Sequence, residues 1–190
     1  MKKYLIYLFS VLFVSCSTKH PDATVRFDTA VTINDSYIGN GAQWDPYQLD
    51  YGKGRLEISD ADWTKLYNRL DFMRPQFIRI MVNTSSFVEN GKFAPEKGME
   101  TLSKMLDYCQ SRSVTVMFGD WGWSVINARE AKINYKNMKH AAELVDYLIN
   151  GKGYTCIKYY NLINEPNGDW AATNKSYPLW ASSIKLFHEN

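Results

Sequence analysis

Asn164 and Glu165 stand side by side at the end of an apolar run, Ile157 to Ile163, and Pro166 follows at once. A carboxyl can donate a proton and take it back, and an amide beside it can hold a hydroxyl. Proline has no N–H with which to extend a strand ladder, and it biases the residue before it towards extended geometry. Glu165 is therefore expected in extended conformation at the carboxyl end of a strand, where parallel α/β folds carry their chemistry. Strict alternation along a strand sends neighbours to opposite faces. Asn164 and Glu165 reach one site only if the strand end bends.

Other polar and aromatic residues gather at the ends of similar apolar runs. Arg79 lies inside Phe77 to Val82, with Asn83 just after it. A charge in such a run needs a partner. The expected partner is a carboxylate, which Arg79 would keep ionised. The plainer alternative is a structural ion pair, or an arginine that snorkels outward. Trp44 and Asp45 follow a Gly-x-Gly, and Asp120, Trp121 and Trp123 sit in Gly119-Asp120-Trp121-Gly122-Trp123. Asp120 in that setting can equally be a turn residue. Trp170 lies just beyond Glu165. Most of the 6 Trp and 13 Tyr are expected in the core, so only those at strand ends are candidate sugar platforms.

The elements that must position these residues alternate. A first strand is expected to end over Tyr37 to Gly41. Ser59-Asp60-Ala61-Asp62 is a capping box, and Trp63, Leu66, Tyr67, Leu70 and Met73 follow at helical spacing up to Pro75. Phe77 to Val82 reads as a strand buried on both faces. Met99, Leu102, Leu106 and Cys109 mark a second helix, and Val114 to Phe118 a third strand. Met138, Ala141, Val145 and Leu148 mark a third helix closed by Gly151. Ile157 to Ile163 is the fourth strand, and a last helix opens at Tyr177-Pro178 and runs through Phe187. Strand starts about 40 residues apart, each followed by a helix, mean parallel strands with helical crossovers. The fold class is α/β. It is either a small open doubly wound sheet or the first four βα units of a TIM (β/α)8 barrel, truncated, since a whole barrel typically takes ~250 residues.

Composition narrows the chemistry. Hydrophobic residues make up 45% and charged residues 22% of the chain, which fits a globular domain. Of 22 basic residues, Lys2 and Lys3 alone account for the excess over 20 acidic ones. Nothing in that balance points to nucleic acid. A dinucleotide fingerprint starting at Gly39-x-Gly41 fails at Trp44, and there is no phosphate loop, nucleophile elbow, His-Glu-x-x-His or Cys-x-x-Cys. No metal is expected. Cys109 and Cys156 have no pairing signature and are expected as buried thiols. Lys2-Lys3, the apolar run Tyr4 to Val14 and Val14-Ser15-Cys16 resemble a bacterial lipoprotein signal. That implies a leader over residues 1–15, lipid attachment at Cys16, a tether over 16–31, a domain over 32–190, export and a membrane anchor; the alternative is ordinary secretion with cleavage nearby, which leaves the protein periplasmic or secreted.

With these residues in view, the chain resembles the clan of retaining glycoside hydrolases on (β/α)8 barrels, of which the cellulase-like family 5 is a member. Asn164-Glu165-Pro166 matches the clan's strand-four motif, Arg79 matches the family-5 strand-two arginine, and Trp44 and Trp121 lie where such enzymes often stack sugars. The resemblance spans roughly residues 32–190 and selects the barrel half over the open sheet. It implies Glu165 as acid/base, Asn164 on the sugar 2-hydroxyl and Arg79 in support of the nucleophile. The substrate would be a β-linked glycan held by Trp44, Asp45, Asn83, Asp120, Trp121, Trp123 and Trp170, with no cofactor. Family 5 often carries a His where this chain reads Phe118-Gly119-Asp120.

Retaining hydrolysis needs a second carboxyl about 5–5.5 Å from the first. The clan places it on strand seven, and no residue present can be given that role. A non-catalytic glycan-binding lipoprotein would need no such group, and an open-sheet α/β protein would make Glu165 incidental. On the hydrolase reading the 190-residue chain by itself is expected to be inactive and to self-associate through unpaired sheet edges. Sedimentation and denaturant unfolding check this, and a monomer that unfolds cooperatively contradicts it.

Overall fold

The computed structural model describes residues 23–32, 34–46 and 57–190. The expected leader over 1–15, the expected lipid attachment at Cys16 and the expected tether up to residue 22 lie outside the described residues. The described residues up to Tyr37 form one unit and Ile38–Asn190 another. The first has neither helix nor strand, and its backbone turns on Asp28 and Asn34, whose side chains accept from Ala30 and Ser36 N–H.

The second unit carries β1 (Gly41–Gln43), α1 (Asp60–Met73), β2 (Phe77–Val82), β3 (Val88–Glu89), β4 (Lys92–Phe93), α2 (Glu96–Ser111) and β5 (Thr115–Asp120). It continues with β6 (Ile126–Asn127), β7 (Lys132–Ile133), α3 (Tyr135–Asp146), β8 (Ile157–Asn161) and α4 (Tyr177–Glu189). A 3-10 turn, Thr84–Phe87, follows β2, and a π turn, Tyr147–Gly151, ends α3. β1, β2, β5 and β8 form one parallel sheet in that order, so the strands lie side by side in the order of the chain. Among the described residues no helix is long and apolar enough to cross a membrane.

The helix ends follow local chemistry. Ser59 Oγ accepts the Asp62 N–H at 3.2 Å and donates to the Asp62 carboxylate at 2.6 Å, closing the capping box of α1. Arg74 ends that helix at φ 49°, with its N–H on Leu70 O, and Pro75 prevents continuation. Alternation along the sheet then decides the core. Ile78, Ile80 and Val82 of β2 and Val116 and Phe118 of β5 pack with Leu102, Leu106 and Cys109 of α2, Trp63 and Leu70 of α1, and Leu144 of α3. A second cluster joins Val125, Met138, Ala141, Leu162 and Ile163 to the inner side of α4.

The opposite pleat carries a different set. Gln43, Arg79, Met117 and Tyr159 stand in one row across the four strands, and Met81, Gly119 and Asn161 in the next. Tyr159 is 54% exposed there, and its ring lies 6.1 Å from that of Phe77. Gly119 permits close approach of β5 and β8, because a Cβ would come within 2.3 Å of Asn161 O.

Four expectations are corrected. β1 begins at Gly41 and not near Tyr37, since Gly39 at φ 110° breaks the extended run. β8 ends at Asn161, short of Ile163. Two hairpins, β3–β4 and β6–β7, follow the central strands and were not foreseen. The first turns on Asn90-Gly91, both at positive φ, an Asn-Gly signal that the sequence carries openly. Phe77 to Val82 is not buried on both faces, because Phe77 and Arg79 are half-buried.

Gly119→Ala is expected to destabilise the fold by about 1–3 kcal/mol, because the intruding atom is a backbone oxygen that cannot step aside. Urea unfolding measures it, and an unchanged midpoint would show that β5 and β8 can separate freely.

Candidate functional site

The site begins with Arg79 on the half-buried pleat of β2. Its Nη1 donates to Gln43 Oε1 at 2.7 Å, and its Nη2 donates to Asn164 Oδ1. The partners are two amide oxygens, not the expected carboxylate. A guanidinium has donors only, so each amide must turn its oxygen to Arg79 and its NH2 away. Gln43 Nε2 then donates to Asp45 Oδ2 at 2.6 Å, and Asn164 Nδ2 faces Glu165 Oε2 at 3.4 Å. One cation thus orients two amides, and each amide presents a donor to a carboxylate. The Trp121 ring completes the setting, with Arg79 Cζ 5.8 Å from its centroid.

Glu165 does not adopt the extended geometry that Pro166 suggested. Its φ is 43°, an unfavourable region for a residue with a Cβ. The reason lies in the turn that follows. Gly168 N–H donates to Glu165 O at 2.9 Å, which closes a turn with Pro166 at its second position. Thr173 Oγ1 ties the turn down at Pro166 O, 2.8 Å away. The left-handed step is the bend that brings Asn164 and Glu165 to one place. Trp170 returns over Gly168, where any Cβ would meet its ring at 2.5 Å, and its Nε1 donates to Glu165 Oε2 at 2.8 Å. Glu165 is exposed, and its Oε1 has no hydrogen-bond partner among the described residues.

Three expected sugar contacts are corrected. Trp44 is 8% exposed and packs its ring among Trp63, Tyr67 and Tyr108 on the helical side. Strand parity decides this, because Gln43 takes the other face. Asp45 is buried, and its second oxygen accepts the Met81 N–H at 3.2 Å. Burial pushes its carboxyl up against the opposing pull of Gln43, the Met81 N–H and Arg79. Asp120 is fully buried and clamps the loops after β2 and β5. It accepts from Thr84 N–H at 2.6 Å, Thr84 Oγ1 at 2.7 Å and Gly122 N–H at 2.6 Å. None of the three is open to a ligand. Asn83 is half-buried at the end of β2, and Trp123 and Trp170 are exposed at 55% and 65%.

Gln43 is the residue that sequence reasoning missed. Its signal was positional: it is the β1 neighbour of Arg79 in the parallel register. As it stands, the arrangement offers one oriented carboxyl, Glu165, with a fixed amide and an indole N–H on one oxygen and the other oxygen free. Among the described residues no group of three or more His, Cys, Asp or Glu is placed to hold a metal ion.

Burial raises the Asp120 carboxyl, outweighing the lowering effect of its Thr84 and Gly122 donors. A carboxyl raised on folding adds stability that is complete below the unfolded value, about 3.9, and is lost as pH rises through the folded value. Asp120→Asn would turn an NH2 towards a backbone donor, and it is expected to cost about 1–3 kcal/mol. The gap from wild type is expected to be widest below about pH 4 and to narrow as pH rises. Thermal melts across pH test the sign, and a gap that widens with pH contradicts it. No family model and no curated protein matches the chain.

Proposed function

We propose that this chain supplies the acid/base half of a retaining glycosidase acting on a β-linked glycan, and that its sheet is half of a (β/α)8 barrel. The observation that carries the reading is the oriented series Arg79, Asn164, Glu165 and Trp170 at the carboxyl end of a parallel sheet. The strand order supports the barrel half. A doubly wound sheet reverses its order at a switch point, whereas β1, β2, β5 and β8 run in chain order with no reversal.

On this reading Glu165 protonates the leaving oxygen through Oε1 and later takes a proton from water. Microscopic reversibility requires the same group for both steps. Asn164 is held by Arg79 beside the carboxyl, where the sugar 2-hydroxyl would lie. Trp170 fixes Oε2, which keeps the other oxygen turned to the substrate. The nucleophile is a second carboxylate about 5–5.5 Å away, supplied from outside these residues. Export and anchoring through Cys16 belong to the same proposal.

The test uses the full-length protein and two β-glycosides, one with a poor and one with an activated aryl leaving group. Glu165→Ala is expected to lower kcat/KM for the poor leaving group by about 10²–10⁴-fold. It should spare glycosylation by the activated one, and added azide should restore turnover as a glycosyl azide of retained configuration. Undiminished turnover by the variant would sink the assignment. Saturable glycan binding without turnover in wild type would favour the non-catalytic binding reading, for which the exposed Trp123 and Trp170 rings are the supporting observation.

A further inference from the structure

We infer that the loop after β5 carries a saccharide-binding site of its own, built on Trp123 and separate from the Glu165 carboxyl. A cavity of about 430 Å³ opens beside Trp123, between that loop, the β6–β7 hairpin and the start of α3. None of its lining residues belongs to the series from Gln43 through Arg79 and Asn164 to Glu165 and Trp170. Trp121 and Trp123 are only two residues apart, yet they serve different places. Trp121 faces Arg79, while Trp123 is 55% exposed at the cavity.

The platform is rigid. Asp120 holds Gly122 N–H and Thr84, Ile126 N–H donates to Gly122 O at 3.0 Å, and Asn134 N–H donates to Val125 O at 2.8 Å. Ser85 N–H donates to Ser124 Oγ at 3.2 Å and ties the loop after β2 to the same wall. An exposed indole on a loop this constrained loses little freedom when a ligand stacks on it.

The polar lining is oriented in the same way. Asn137 spends Nδ2 on Ser124 O at 2.9 Å and keeps its Oδ1 unpartnered among the described residues. Asn134 spends Oδ1 on the Asn137 N–H at 3.1 Å and keeps its Nδ2. Both side chains line the cavity, and each is pinned by one arm and keeps the other unspent among the described residues, an acceptor on Asn137 and a donor on Asn134. Asn127 and Arg129 add donors on the hairpin side, and Arg129 makes no ion pair among the described residues. No carboxylate lines the space. A flat indole with paired amide donors and acceptors suits a pyranose: the ring's C–H face stacks and its vicinal hydroxyls both give and accept hydrogen bonds. The site would hold a glycan chain at the surface whether or not Glu165 cleaves it.

Isothermal titration of the full-length protein with cellohexaose, xylohexaose and mannohexaose tests the proposal. Each titration is run on wild type, Glu165→Gln, Trp123→Ala and Arg129→Ala. At least one hexasaccharide is expected to bind wild type and Glu165→Gln alike, with affinity for the same sugar falling about tenfold or more in Trp123→Ala and less in Arg129→Ala. Circular dichroism confirms that the variants fold. Binding that survives in a folded Trp123→Ala, or no binding of any of the three sugars by wild type, overturns the proposal. Failure of the hydrolytic reading would appear separately, as turnover undiminished in a Glu165 variant.

Discussion

The arrangement turns on one fact about arginine: it can only donate. Arg79 stands in the middle of a parallel sheet, on the pleat opposite the main core, with a neighbouring strand on either side. Because it offers no acceptor, the amides of Gln43 and Asn164 must meet it oxygen-first. Their NH2 groups are thereby committed outward, one to Asp45 and one to Glu165. A side chain without charge or with fewer fixed donors would leave the two amides oriented only by the carboxyls on their far side. The polarity of the whole site is set by that single cation.

The loops then solve a geometric problem that the sheet alone cannot. β8 ends at Asn161, and alternation carried on beyond it would part Asn164 from Glu165; the left-handed step at Glu165 brings them together. Such a step is unfavourable for a residue with a side chain, and here the Pro166 turn, the Thr173 clamp and the Trp170 N–H hold it. The loop after β5 is held by another device. Asp120 is a buried carboxyl surrounded by N–H and O–H donors, and it joins the loops after β2 and β5. On the proposed reading, these restraints let one carboxyl be aimed at a glycosidic oxygen while the Trp170 indole holds it in place.

The element pattern was largely legible. The capping box at Ser59, the helical spacings and the apolar runs identified α1 to α4 and the strands β2, β5 and β8, because burial periodicity survives in the residue order itself, whereas β1 begins only at Gly41, the last residue of the expected Tyr37 to Gly41. The hairpin at Asn90-Gly91 is carried by the residue order in the same way, through a local Asn-Gly turn signal. Trp44 shows where such reading stops. An indole one residue beyond a short strand can face a site or the core, and shifting its register by one residue exchanges the two. Here the helical side took Trp44, and Gln43 faced Arg79.

By itself the sequence determined which residue types lay at strand ends and that the strands run parallel, since the βα alternation and the hydrophobic spacing depend on neighbours along the chain. It determined the juxtaposition of Asn164, Glu165 and Pro166, which no folding can alter. Only the tertiary structure decided that Arg79 pairs with amides, that Asp45 and Asp120 are buried clamps, and that Trp170 grips Glu165 while Trp123 stands apart. Apart from the Trp170 bond, made five positions from Glu165, those outcomes rest on the register between strands and on loops closed by distant groups. Residues 36 to 85 positions apart meet in them, and local preference carries no record of such meetings.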